Sequence, residues 1–446
     1  MTFLGYERLR AKEFLGLSTF QFLAYFRRSI FYGFVAVYLG KHLGLSTFEV
    51  TLMATFGMIA NAGSQSFIWG SLLDRFRRSA LFIIIGESIA GVGHIAWYYW
   101  HLSALRQGND QYAGFTIIIG LAIIEIFWSQ SNVGWSALIS ELTESTKRKK
   151  LMSQLSIIGG IGGIVGATLG GYLYLSGQGF ENGNLFIIPA IIMIISSVIV
   201  YFSIRDPEER LKSDTNLSDV QSLDQSNESE KKPSLADLPN NLKALFILLL
   251  IVLVFVNFGR NSIALISSLY VVDEGSFAAS DQQLALFRNF SSGATMIAGF
   301  LLGSILSEVD DRKMMMTGII FALFALVWLI LAPSFELVLL ASALVGATQV
   351  ILQASSYAIV STIIPPEYRG RLFAYYNATF FLSWGIGGSL VAAPVADYFI
   401  IHGYTSAFAY QMSFVSAIFL VLIGLICYLY FLRRLNEYRE KVDIEF

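Results

Sequence analysis

The chain of 446 residues holds one cysteine, Cys427, eight prolines and four histidines, and only 14 % of its residues are charged. An ordinary soluble domain carries about 25 %. A single thiol excludes an intramolecular disulfide framework and any multi-thiolate metal site. The histidines form no HExxH or similar pair, so no metal site is expected. No nucleophile–base pair or nucleotide loop appears. The glycine run GIGGIVG (160–166) lies in an apolar stretch instead of following a strand, which predicts neither an enzyme nor a cofactor. A net charge of −2 offers nucleic acid no basic surface. The first residues mix Glu7, Arg8, Arg10, Lys12 and Glu13 with apolar positions, which is not the pattern of a removable signal peptide.

Apolar residues are what the chain has in excess: 55 % of the total, with a mean hydropathy of +0.61. A bilayer-spanning helix takes about 20 mostly apolar residues, and this chain can supply twelve. Hydropathy rises twelve times. The first span runs to about Leu39, and the others cover about 48–73, 80–102, 112–138, 151–175, 185–204, 244–272, 282–306, 314–332, 335–363, 371–400 and 406–432. Between the sixth and seventh, residues 205–243 turn polar (SDVQSLDQSNESEKKPS) and read as a disordered linker. This predicts an all-α membrane protein with bundles at 1–204 and 244–446. Lys and Arg cluster at the N-terminus, Arg75–Arg78, Lys147–Lys150, the linker, Arg312–Lys313, Arg369, Arg371 and Arg433–Lys441. The loops of the opposite side hold only Lys41 and Arg106. Basic loops stay in the cytoplasm, so both termini are expected there, in a multi-pass protein of the plasma membrane.

The halves repeat. Arg27, Ser29, Ile30 and Gly70 recur 233 positions later as Arg260, Ser262, Ile263 and Gly303. Beyond a longer loop near Gln107–Gln111 the offset is 221, pairing Asn132 with Gln353, Arg148 with Arg369, Leu151 with Leu372 and Gly166 with Gly387. Parallel six-helix repeats with a site between them are one transporter plan. The segment Gly70-Ser71-Leu72-Leu73-Asp74-Arg75-Phe76-Arg77-Arg78 resembles the G-x-x-x-D-R-x-x-R signature of the major facilitator superfamily. The run Gly162 to Gly171 is similar to that family's antiporter glycine motif, and Pro365 to Arg371 resembles its usual entry to the eleventh helix. The resemblance implies twelve helices in two pseudo-symmetric bundles, alternating access, and a cytoplasmic latch built on Gly70, Asp74, Arg75 and Arg78. Gly70 would let the second helix approach a neighbour, and Asp74 would meet a helix N-terminus or an arginine. In the second half Ser307 stands where Asp74 does. Ala167 replaces the proline of the antiporter motif and the fourth span has no arginine, both of which count against drug efflux.

Ionisable groups inside a membrane cost at least about 2.5–3.5 kcal/mol and mark function. Arg27 and Arg28 lie in the first span, Arg260 at the equivalent depth of the seventh and Arg288 in the eighth, against Glu87 in the third and Glu125 in the fourth. This excess of arginine predicts a bound anion, because guanidinium suits bidentate capture of phosphate or carboxylate. The resemblance implies that the first, fourth, seventh and tenth helices line the cavity, so Arg27 and Arg260 would face each other, as in organophosphate–phosphate exchangers. Arg27, Arg28, Arg260 and Arg288 are the expected substrate-binding arginines. Arg28 lies about 100° round the helix from Arg27, so the two cannot point equally at the cavity and one of them would pair with a carboxylate or snorkel. The alternative is that the arginines are structural partners of Glu87 and Glu125. Asn132, Gln353, Asn257, Asn261, Tyr375, Tyr376 and Asn377 would complete the site. Glu125, under opposed influences of burial and a nearby guanidinium, is the candidate for proton coupling; Glu87 and His94 read as packing groups. The expected protein is a secondary transporter of a small organic or phosphorylated anion, coupled to protons or a counter-anion. Its alternatives are a drug–proton antiporter and a membrane receptor or scaffold that does not transport.

Overall fold

A computed structural model describes residues 9–143, 145–204, 238–306, 308–364 and 369–442. Of the expected linker at 205–243, residues 205–237 fall outside them, as do Ser307 and Pro365 to Tyr368, while 240–243 already belong to the seventh helix. Twelve helical rods cross the molecule. In the first half they are α1 (Ala11–Tyr32, continued by Val35–Val37 and Tyr38–His42), α2 (Thr47–Ser64, Gln65–Trp69 and Gly70–Phe76), α3 (Ser79–Arg106), α4 (Asp110–Leu142), α5 (Ser145–Tyr174) and α6 (Asn184–Ser203). The second half supplies α7 (Asn240–Ser262 and Ile266–Val272), α8 (Asp281–Gly303), α9 (Asp311–Leu331), α10 (Phe335–Ile363), α11 (Arg369–Gly387, Gly388–Ala392 and Ala393–Ile401) and α12 (Ser406–Val442). Every backbone group inside hydrocarbon needs an internal partner, and helices provide it without help from water. α12 runs ten residues past the expected end at 432, where the apolar run gives way to a helix surface tied by Arg433–Glu437 and Arg434–Glu437 pairs.

Among the described residues, nine helices are long and apolar enough to cross a membrane. The three that fall short are α1, α2 and α8. α1 carries Arg27 and Arg28, α2 carries Asn61, Ser64 and Gln65, and α8 carries Arg288, Asn289 and a Ser-Ser-Gly run. Their polarity marks them as helices that do not present a full circumference to lipid.

The rods form two six-helix bundles. In the first, α3 packs on α4 and α6, α1 on α5 and α6, and α2 on α4; in the second, α7 packs on α11 and α12, and α10 on α8 and α9. Between the bundles α5 lies against α8 and α2 against α11. Small residues set these approaches. A β-carbon at Gly166 of α5 would sit 2.2 Å from the carbonyl oxygen of Phe26 on α1, and one at Gly346 of α10 would sit 2.0 Å from that of Ser291 on α8. The α5 glycine run is thus a packing surface, as membrane helices use it. Gly70 behaves otherwise than expected: its nearest atom is the carbonyl oxygen of Gln65 in its own rod, and no neighbouring helix closes on it.

Both chain ends lie on one side of the molecule, called here the terminal side, because α1 begins and α12 ends there. α1 and α7, equivalent in the repeat, each break on their way to the far side, α1 at 33–34 and α7 at 263–265. A break exposes backbone carbonyls that need partners. At α7 the guanidinium of Arg288 supplies one, donating to Ala264 O at 3.4 Å and to Ser268 Oγ at 2.5 Å.

Candidate functional site

The bundles are tied together on the far side by three carboxylates of the second half. Asp397 at the end of α11 accepts hydrogen bonds from the backbone N–H groups of Thr47 and Phe48 at 2.9 and 2.8 Å, capping the N-terminus of α2. Asp281 at the start of α8 accepts from the N–H of Ser176 at 2.8 Å. Asp273 after α7 pairs with Lys41 and accepts from Ser406 Oγ at 2.6 Å. Carboxylates are favoured at a helix N-terminus, where N–H groups are free and the dipole is positive. Deeper, Thr55 Oγ1 donates to Gly385 O at 2.8 Å and Asn289 Nδ2 to Thr168 Oγ1 at 2.8 Å.

Toward the terminal side the polar wall is open. Asn132 and Ser136 of α4, Gln353 and Tyr357 of α10, and Tyr375 and Asn377 of α11 are exposed. Asp74 is exposed and makes no ion pair among the described residues, and Arg75 and Arg78 are exposed beside it. Among the described residues, then, no ion pair closes the expected latch through Asp74. Tyr376, also expected in the site, is buried and donates to Gln353 O at 3.1 Å.

The interior arginines do not converge as expected. Arg27 is 1 % exposed, donates from Nη2 to Glu87 Oε1 at 2.8 Å, and lies 4.3 Å from the Trp128 ring centroid. Ser131 Oγ donates to the same carboxylate oxygen at 2.8 Å. Arg27 is thus locked inside the first bundle between α1, α3 and α4, and it does not meet Arg260. Its place on the open face of α1 is taken by Arg28, one residue and about 100° on. Arg28 is exposed and lies 5.7 Å from the Tyr32 ring and 6.0 Å from that of Trp128.

Glu125 is bound by neutral donors. Tyr32 Oη donates to Oε1 at 2.5 Å and Asn61 Nδ2 to Oε2 at 2.6 Å, while Gln65 Nε2 donates to Asn61 Oδ1 at 2.6 Å. Three helices of the first bundle, α1, α2 and α4, meet at this one carboxyl, and Arg28 acts on it electrostatically. Nothing in the sequence pattern singled out Tyr32 or Asn61; both are lone polar groups in apolar spans.

Across the interface, Asn257, Arg260, Asn261 and Ala264 share one face of α7. Gly259 presses on Ala417 and Val421 of α12, on the other side of the rod. The shared face is flanked by α11, through Asn261 Nδ2 donating to Ser383 Oγ at 2.8 Å, and by α8, through Arg288 on Ala264 O. Since α11 rests on α2 and α8 on α5, the α7 face between them points at the first bundle. There Arg260 is 4 % exposed, with neither Nε nor Nη2 hydrogen-bonded, and Asn257 is fully buried with both amide atoms unpartnered. Arg288 leaves Nε free. Among the described residues no carboxylate pairs with Arg260 or Arg288. His94, on α3, bonds only to Ala90 O of its own helix, as a packing group would.

A family model described as Major Facilitator Superfamily matches residues 17–276 and 249–444. Structures of similar fold include the nucleoside transporter NupG, at 13 % identity and a TM-score of 0.70, covering 94 % of this chain and 99 % of that one. A bacterial homologue of the human lysosomal transporter Spinster, inward-facing and unoccupied, shares 15 % identity at a TM-score of 0.67, covering 97 % and 99 %. A bacterial homologue of the iron transporter ferroportin in an inward-facing state shares 12 % at 0.65, covering 94 % and 98 %. No curated protein matches the chain. At such identities the likeness is one of fold.

Two outcomes follow from this geometry. Glu87→Leu strands the Arg27 guanidinium and lowers stability by about 3–5 kcal/mol, read as a fall in unfolding temperature in detergent; adding Arg27→Met to it restores most of the loss. Asp397→Ala removes the cap from α2 and loosens the far side. With Cys427 replaced by Ser and the buried Thr51 by Cys, that change raises labelling by a membrane-impermeant maleimide from the far side about tenfold.

Proposed function

The chain belongs to the major facilitator superfamily of secondary transporters, which work by alternating access, and we propose that this member carries a small organic or phosphorylated anion across the plasma membrane. It is a multi-pass membrane protein and not an enzyme. We place the terminal side in the cytoplasm on the strength of the Lys and Arg bias of its loops, with the 205–243 segment as a cytoplasmic link between bundles at 1–204 and 244–446. On that orientation the structure is the inward-open form.

The observation that carries the anion reading is the state of Arg260. A guanidinium in hydrocarbon demands an anion, full hydrogen bonding or water. Arg27 has its anion in Glu87; Arg260 has none, yet is nearly as deeply buried. The missing anion is the cargo. Arg260 and Arg288 hold it from the second bundle, with Asn257 beside them, while Arg28 faces it from the first. Asn132, Gln353 and Tyr375 line the entry from the terminal side.

Glu125 gives the coupling. While it is ionised, its charge offsets Arg28. A proton on Glu125 cancels that offset and leaves Arg28 free to attract the anion, so proton and anion occupy the carrier together. When the cargo leaves, Arg28 again favours ionised Glu125, and the proton is released on the same side. Tyr32 and Asn61 keep the carboxyl fixed in either state, since both donate to it and Asn61 can turn its oxygen to accept from a carboxylic acid.

Purified protein in liposomes, loaded with labelled phosphate esters, carboxylates or cationic dyes, tests the reading. The wild type accumulates an anion, and Arg260→Gln lowers its uptake by at least tenfold; accumulation of dyes instead, with Arg260→Gln at wild-type rates, would defeat the proposal. In the same vesicles an inward proton gradient drives anion uptake by the wild type. Glu125→Gln still exchanges anion for anion but no longer responds to the gradient.

A further inference from the structure

Among the described residues, the ionisable groups deep between the helix ends number four arginines and two glutamates, and they are not shared evenly. The first bundle contains Arg27, Arg28, Glu87 and Glu125, as many acids as bases. The second contains Arg260 and Arg288 and, among the described residues, no acid at that depth. The internal repeat shows where the acids would have been. At the offset that takes Arg27 to Arg260, the region of Glu87 falls on Ile319-Ile320 of α9; at the later offset Glu125 falls on Gly346 of α10. Gly346 lies against the Ser291 carbonyl of α8, leaving no room for a side chain there. The second half therefore keeps the guanidinium and has an apolar or absent side chain in place of each acid.

We infer that the second bundle supplies the fixed positive charge of the site, with Arg28 of the first bundle offset by Glu125, and that it selects a solute bearing two negative charges. This rests on the anion reading above and adds to it the charge of the cargo. The two free atoms of Arg260, Nε and Nη2, form the side edge of the guanidinium, the edge that grips two oxygens of one oxyanion at once. The protein uses the same edge elsewhere: Arg312 donates from Nε to Asp310 Oδ1 at 2.9 Å and from Nη2 to Oδ2. Arg288 is anchored to the broken turn of α7 by one nitrogen, which fixes it one helical turn beyond Arg260 with Nε unused. A solute with one charge would satisfy the Arg260 edge and leave the Arg288 charge without an anion. A solute with two neutralises both. A phosphate monoester above its second ionisation and a dicarboxylate share this chemistry.

The test is binding to the purified full-length chain in detergent at pH 8, read as the rise in unfolding temperature across a titration at constant ionic strength. Glycerol phosphate and succinate are the doubly charged probes. Glycerol methyl phosphate and monomethyl succinate, of nearly the same shapes, carry one charge. At least one doubly charged probe stabilises the wild type at a concentration ten or more times lower than its singly charged partner, and which one does so separates a phosphoryl cargo from a dicarboxylate. Arg288→Gln removes that preference. Arg260→Lys, which keeps the charge and loses the edge, weakens both probes of a pair while retaining the preference. Equal response to one and two charges, no response to either doubly charged probe, or an unchanged preference in Arg288→Gln overturns the inference. Equal response that Arg260→Gln abolishes overturns the charge count alone and leaves the anion reading standing. Stabilisation by a neutral or cationic solute with none by the acids overturns both.

Discussion

A guanidinium carried into a membrane is tolerated only where something answers its charge, and the interior of this protein is arranged by that demand. Arg27 is answered by Glu87, by the face of Trp128 and by the walls of three helices. This makes it a strut, because removing either partner leaves the other buried alone. Arg28, its neighbour in sequence, is answered by openness and by the nearby carboxyl of Glu125. Among the described residues no carboxylate answers Arg260. Three arginines of similar depth thus have three fates, decided by which face of the helix each occupies and what stands opposite.

The duplication explains both the likeness of the halves and their division of labour. The far-side ties are related by the repeat with their roles exchanged. Asp397 maps onto Ser176, and Phe48 onto Asp281, so the two ties join corresponding pairs of positions. In one the acid stands at the end of α11 and the N–H at the start of α2; in the other the acid begins α8 and the N–H ends α5. In the interior the exchange is not reciprocal. Glu125 became, or arose from, a glycine that lets α8 close on α10, so carboxyl chemistry exists in one half only. A proton and an anion can then be handled by different bundles while still sensing each other through the chamber between them.

Much of this was legible in the chain. Twelve apolar runs, the polar break after 204 and the two offsets are large, repeated signals, and most helix ends fall within a few residues of them, α12 running ten residues further. The interior arginines and Glu125 stood out because charge in a membrane is rare. What could not be read was rotation. Arg27 and Arg28 are adjacent, and hydropathy does not say which of two neighbours turns toward a third helix; the choice fell on Arg27 because it is the one that repeats. Nor could sequence show that Asp74 stands free, since a latch is a property of one conformation. Asp281 and Asp397 are acids at helix ends, which hydropathy does not distinguish from others. Their equivalence to Phe48 and Ser176 was visible in the numbering, but backbone N–H groups leave no trace in a sequence.

The far-side carboxylates bear on how the carrier turns over. Each grips a backbone N–H group or a lysine; Asp281 and Asp397 are partly exposed, while Asp273 is buried. Such ties are individually weak, about 1.5–3 kcal/mol for a charged group on a neutral donor, and water can replace them as they part. The two bundles therefore separate on the far side without a large loss, provided a comparable set forms on the terminal side. There Asp74 waits at the end of α2, the same helix whose other end is capped by Asp397. On the latch reading, one rod would carry a contact at each end, and making one would break the other. On the anion reading proposed above, cargo that neutralises the second bundle's arginines would remove the penalty of drawing them against Arg28 in the occluded form, and so the load itself would decide when α2 swings.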